Sequence, residues 1–118
     1  LLRRLGFEIH LASRLSVREQ QLLFAEAAVV VAPHGAGLTN LVWCQERTRV
    51  IELLPIRHQL PCFAKLAMQR GLDYQAILCA QDASERRGIA ADIMVPIETL
   101  QSHVRAFLNA PADPAPRF

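Results

Sequence analysis

The sequence is poor in aromatic residues, which make up 6% of its 118 positions, and poor in glycine, with five. It also lacks a strong charge of either sign: thirteen lysines and arginines stand against eleven acidic residues, for a net charge of +2, and the cations are scattered. Nucleic acid is thereby excluded as a default partner, because phosphate-backbone binding rests on clustered cations. No apolar run approaches the roughly 20 residues that span a bilayer, and no charged-then-apolar leader opens the chain. Cys44, Cys62 and Cys79 form no C-x-x-C pair and have no histidine at ligand spacing, which removes the usual zinc frames. Each lies in an apolar stretch, so buried free thiols in a reducing, cytoplasmic compartment are expected. Lysine is nearly missing: twelve of the thirteen cations are arginine, Lys65 being the exception. That bias fits GC-rich coding and points to a bacterial source, with peripheral attachment to the inner membrane left open.

What is present is a composition built to fold, 52% hydrophobic and 20% charged. One domain is expected over residues 1–109, followed by a Pro/Ala-rich tail at 110–118. The opening Leu1-Leu2-Arg3-Arg4, without methionine, reads as a segment of something longer. After a helical end at residues 1–5, Gly6-Phe7-Glu8-Ile9-His10-Leu11 alternates as a short strand does. Ser16-Val17-Arg18-Glu19 is a capping box ahead of a helix over 17–27. Residues 28–32 form a β-branched run closed by Pro33, and 49–54 form another closed by Pro55, both typical of strands buried on two faces. A helix over 59–70 places Leu60, Phe63, Ala64, Ala67 and Met68 on one face, with Gly71 as its C-cap. Strands over 72–78 and 93–96 flank an exposed loop around Gly88, and an amphipathic helix over 97–109 closes the domain. Strands alternating with helices predict an α/β fold, a mainly parallel sheet with helices on both faces, whose ligands bind at the carboxyl ends of the strands.

One turn sits at such an end. Pro33-His34-Gly35-Ala36-Gly37-Leu38-Thr39-Asn40 joins a buried strand to a short helix. Gly35 and Gly37 allow a sharp bend and leave room for a ligand, and the amides that open the helix suit a phosphate. His34 can donate from a ring nitrogen, and Thr39 and Asn40 from their side chains; the alternative is a tight turn whose polar side chains satisfy local backbone. Asn40 stands where the dinucleotide fingerprint needs its third glycine, so a nicotinamide dehydrogenase is disfavoured. Glu52, in a strand otherwise of Val, Ile and Leu, needs a partner. A ligand hydroxyl, such as a ribose, and an ion pair with Arg49 or Arg14 both fit. Arg57 and His58 follow in a rim loop, where they either reach phosphates or remain solvated. Glu19 is explained by the capping box, Trp43 and Tyr74 by core packing, and His10 and His103 sit in ordinary contexts.

The stretch from Ser16 through Leu54 resembles the C-terminal part of family 61 glycosyltransferases. It carries Glu19-Gln20, Leu23-Phe24, Ala27, the run Val30 to Asn40 with H-G-A-G-L-T-N, and Thr48-Arg49-Val50-Ile51-Glu52-Leu53. The likeness extends more loosely through Cys62-Phe63, Leu66-Ala67 and Tyr74. It departs at Gln45-Glu46-Arg47, where that family often has a Pro-Gly or similar turn. The resemblance implies the Rossmann-like, donor-binding half of a two-domain inverting enzyme of GT-B type, active in polysaccharide, capsule or glycan synthesis. It implies a nucleotide-sugar donor held by His34, Gly35, Ala36, Gly37, Leu38, Thr39, Asn40, Glu52 and Arg57. His34 would stabilise the leaving diphosphate, with no required metal or other cofactor. The hydroxyl acceptor would reach the site through an N-terminal domain, and the general base is left unassigned. The rival readings are a non-catalytic nucleotide- or phosphosugar-binding module and another phosphate-handling enzyme, such as an isomerase, on the same sheet.

Overall fold

The structure, a computed structural model, describes residues 1–81 and 92–109. Strands β1 (Val29–Pro33), β2 (Arg49–Pro55), β3 (Asp73–Gln81) and β4 (Ile93–Met94) form a four-stranded sheet in the order β1-β2-β3-β4. The first three run parallel, whereas β4 lies antiparallel on β3, with Ala80 opposite Met94 and Gln81 opposite Ile93. The fold is α/β and three of its four strands run parallel as expected, but β4 makes the sheet a mixed one. Residues 82–92 are shorter than the dozen or so residues that a parallel crossover takes, so the chain returns antiparallel.

Helices α1 (Val17–Glu26), α2 (Cys62–Gln69) and α3 (Ile97–Asn109), with a 3₁₀ helix at Ala36–Trp43, cover the sheet. The α1 capping box is formed: the Ser16 hydroxyl accepts from the Glu19 N–H, and the Glu19 carboxylate accepts from the Ser16 N–H, each at 3.0 Å. Strand alternation divides the core in two. Val29, Ile51, Leu53, Ile77 and Cys79 face Phe7 and the α3 residues Leu100, Val104 and Phe107. Val30 and Val50 face Phe24 of α1 and the 3₁₀-helix residues Leu38 and Leu41, with Phe63 and Leu66 of α2 packed alongside. The strand β2 is central and almost wholly buried, as its Val-Ile-Leu composition requires.

Several local expectations are corrected. Residues 7–11 form no strand; Phe7 is drawn into the α3-side core, while residues 8–11 lie exposed. The first five residues hold one 3₁₀ turn, Arg3–Leu5. Helix α2 begins only after Pro61, leaving Leu60 exposed outside it, and Met68 is 80% exposed. Its inner face is Ala67 with Phe63 and Leu66, since a step of about 100° per residue carries Met68 off that stripe. The strand β3 continues to Gln81, and β4 is confined to Ile93–Met94. The loop residues 82–91, Gly88 among them, and the tail at 110–118 lie outside the described residues.

The segment that departs from the family pattern has a physical signature. Arg47 has φ 68°, the left-handed conformation glycine favours, and its N–H donates to the Gly71 carbonyl at 2.9 Å. A side chain there carries strain of about 1 kcal/mol that glycine would not. The turn keeps the backbone shape of a glycine turn without the glycine. Gly71, at φ 68°, ends α2 as expected.

Candidate functional site

The parallel register builds the site. Ala32 of β1 pairs with Glu52 of β2, and Glu52 pairs with Ala76 of β3. These two small neighbours leave space for a carboxylate on that face. The ladder runs one residue further, because the His34 N–H donates to the Leu53 carbonyl at 3.0 Å. His34, two residues beyond Ala32, therefore turns its ring to the same face as Glu52. His34 Nδ1 lies 2.6 Å from Glu52 Oε2, and the Tyr74 hydroxyl donates to Glu52 Oε1. Glu52 is 0% exposed. Phe63 of α2 packs on the imidazole, with ring centroids 5.1 Å apart and planes tilted by 57°. Burial first, then the hydrogen bond to Glu52 and its charge, push the Tyr74 phenol well above its ordinary range.

Neither arginine considered for Glu52 is its partner. Arg49 is three residues away and so points to the opposite face of β2. There its Nη1 donates to the Phe107 carbonyl at 2.8 Å, and its guanidinium lies 6.0 Å from the Phe107 ring centroid.

A cavity of about 480 Å³ opens beside the turn, lined by His34, Gly35 and Gly37 and by apolar residues that include Phe7, Leu23 and Val31. His34 Nδ1 is spent on Glu52. No buried side-chain nitrogen or oxygen among the described residues lacks a partner, so Nε2, which makes no bond within the protein, reaches the surface. Neither glycine of the turn lies in the left-handed region, and Gly35 is extended at φ 169°. A Cβ on Gly35 would meet nothing within 4 Å, and one on Gly37 would meet only the Ala12 Cβ at 3.8 Å. The chain bends at residues 34 and 35 as expected, though without a left-handed glycine, and the room above the turn is real.

The remaining turn residues divide. Leu38 is a core side chain, 1% exposed, and its N–H is spent on the Gly35 carbonyl at 3.0 Å. Asn40 Nδ2 donates to Gln20 Oε1 at 2.8 Å and to the Gly37 carbonyl at 3.0 Å, while Gln20 Nε2 donates to the Ala12 and Leu15 carbonyls. Asn40 therefore ties the turn to α1. Ala36 and Thr39 are exposed. Arg57 lies in the exposed turn at the carboxyl end of β2, where its backbone N–H donates to Gln81 Oε1 at 3.2 Å. Trp43 is 46% exposed and not a core residue. Cys62 is also exposed, against expectation, because it opens α2 at the surface. Cys44 and Cys79 are buried, and burial pushes the Cys44 thiol up to about 12. Sequence reasoning left Tyr74 and Phe63 outside the site. The spacing of Tyr74 two residues before Ala76, which pairs with Glu52, was the available signal. Among the described residues no helix is long and apolar enough to cross a membrane.

A buried histidine–carboxylate pair thus lies at the carboxyl end of a parallel strand of an α/β fold, beside a glycine turn. The family model for glycosyltransferase 61 matches residues 1–51, a span that contains the whole turn. A beta-1,2-xylosyltransferase of Arabidopsis thaliana is 32% identical over 75 residues, 64% of this chain and 14% of that protein. One of Oryza sativa subsp. japonica is 37% identical over 67 residues, 57% of this chain and 13% of that protein. The resemblance to glycosyltransferase family 61 is borne out. The matched stretch is a small part of either relative's length. No solved structure matches. The bacterial, cytoplasmic placement is overturned, since these relatives are plant xylosyltransferases. Unpaired cysteines and an arginine bias, on which that placement rested, are properties of composition that do not fix compartment or source.

Proposed function

We propose that this chain is the donor-binding part of an inverting glycosyltransferase of family 61, built on a Rossmann-like sheet of GT-B type. It would hold a nucleotide-sugar whose sugar passes to a hydroxyl of a glycan or polysaccharide acceptor. The observation that carries this reading is the His34–Glu52 pair beside the unfilled space over Gly35 and Gly37. The first amides of a helix have no intrahelical partner, and those following Gly35 suit the donor diphosphate. His34 Nε2, at the surface, would then donate to a phosphate oxygen and stabilise charge as the nucleoside diphosphate departs. Thr39, exposed on the 3₁₀ helix, and Arg57, exposed in the turn after β2, would add contacts. Asn40 and Leu38 would serve by holding the turn. The names of the relatives make xylose the first sugar to test on the donor.

Calorimetric titration of the 118-residue chain with uridine and guanosine diphosphates, free and xylose-linked, tests this directly. Binding of one nucleotide is expected, weakened about tenfold to a hundredfold by His34→Gln, the worth of a charge-assisted hydrogen bond. Absence of binding to all four would sink the donor-site reading.

A further inference from the structure

We infer that Glu52 and Tyr74 are positioning residues that fix the tautomer of His34, so that its Nε2 is a bare lone pair when the ring is neutral and a donor only when the ring gains a second proton. The inference rests on the donor-site reading for its ligand, but on the geometry for its content.

The two oxygens of Glu52 have one partner each. A phenol beside a carboxylate donates, so the Tyr74 hydroxyl occupies Oε1. The contact left for Oε2 is His34 Nδ1 at 2.6 Å, and an ionised carboxylate only accepts, so Nδ1 carries the ring hydrogen. Neutral imidazole has one N–H, and Nε2, which reaches the surface, is then an acceptor. A lone pair repels phosphate oxygens. Diphosphate binding must therefore bring a proton to Nε2, and release of the nucleotide from a neutral ring is favoured. Phe63 packs on the ring with its plane tilted by 57°. The charged and titratable groups around this ring are Glu52 from β2, Tyr74 from β3 with Cys62 of α2 near it, and Glu8 and His10 across the cavity. Those last two bond each other at 3.2 Å.

Glu52→Gln gives the opposite arrangement at nearly constant volume. Tyr74 still donates to the side-chain oxygen, which turns the amide NH₂ toward Nδ1. The neutral ring must then carry its hydrogen on Nε2. This variant presents a donor to the diphosphate without an added proton.

The test is a long-range ¹⁵N–¹H spectrum of the labelled chain, with the His34 signals identified by their loss in His34→Gln. In the neutral ring the wild type is expected to show protonated Nδ1 and bare Nε2, and Glu52→Gln the reverse. Uridine and guanosine diphosphates are titrated in parallel between about pH 5 and 8. Wild-type affinity is expected to fall as pH rises across this range, with uptake of one proton on binding to the neutral ring, while that of Glu52→Gln stays level. A merely structural Glu52 would change stability and leave both the tautomer and the pH profile unmoved. The wild-type spectrum decides the matter even if Glu52→Gln fails to fold: hydrogen on Nε2 overturns the inference. Hydrogen on Nδ1 without binding of either nucleotide supports the positioning and overturns the donor-site reading instead.

Discussion

Tyr74 is the single tyrosine of the chain, which makes its ionisation visible on its own. Its folded value is raised above the ordinary 10 by burial and by Glu52. A raised value means that the contribution of this phenol to stability is fully present below about pH 10 and is lost as pH rises toward the folded value. Phenolate absorbance near 295 nm should therefore stay low at about pH 10.5 in the native protein and appear together with unfolding, whereas the urea-unfolded chain titrates near 10. Native ionisation at the ordinary value would contradict the bond to Glu52. The same network decides which substitution of His34 is informative. Alanine would leave a buried carboxylate oxygen without its donor and cost stability as well as binding, so His34→Gln, which keeps an N–H, is the cleaner probe. Sequence reasoning found His34 and Glu52 separately, from a glycine turn and from an acid in an apolar strand. It did not pair them, because two residues 18 apart meet only through the β1–β2 register.

The elements were legible wherever the chain itself sets their limits. The capping box starts α1, Pro55 ends β2, and Gly71 ends α2, each a local event that needs no distant partner. Strand status was less secure, because pairing is non-local. The alternation at residues 7–11 finds no partner strand, while β3 runs past the point where its apolar pattern fades. The turn element supplies its own prediction. Gly35→Ala meets open space in an extended backbone, so unfolding free energy should change by less than about 0.5 kcal/mol. Diphosphate binding should nonetheless weaken more than about tenfold, because the added methyl occupies the approach to the backbone. Denaturant melts and calorimetry on one preparation separate the two effects. A large loss of stability would show that the glycine serves the fold.

At the scale of the whole molecule, burial sorts residues that composition treats alike. Cys62 is exposed, whereas Cys44 and Cys79 lie in the two cores, with their thiols held above the ordinary range by burial. An alkylating reagent at about pH 8 should label Cys62 at once and the other two only on unfolding; mass spectrometry of partly modified protein checks this, and early labelling of Cys44 would deny the core around it. The sequence by itself determined the α/β class, the helix and strand succession from α1 onward, the glycine turn at a strand's carboxyl end and the resemblance to family 61. All of these rest on periodicity, capping and short contiguous motifs. Only the tertiary structure decided that β4 runs antiparallel, that Trp43 lies outside, that Asn40 braces α1, and that Tyr74, Glu52 and His34 form one hydrogen-bonded chain. Those outcomes depend on strand order and register, which bring distant residues onto one face of the sheet.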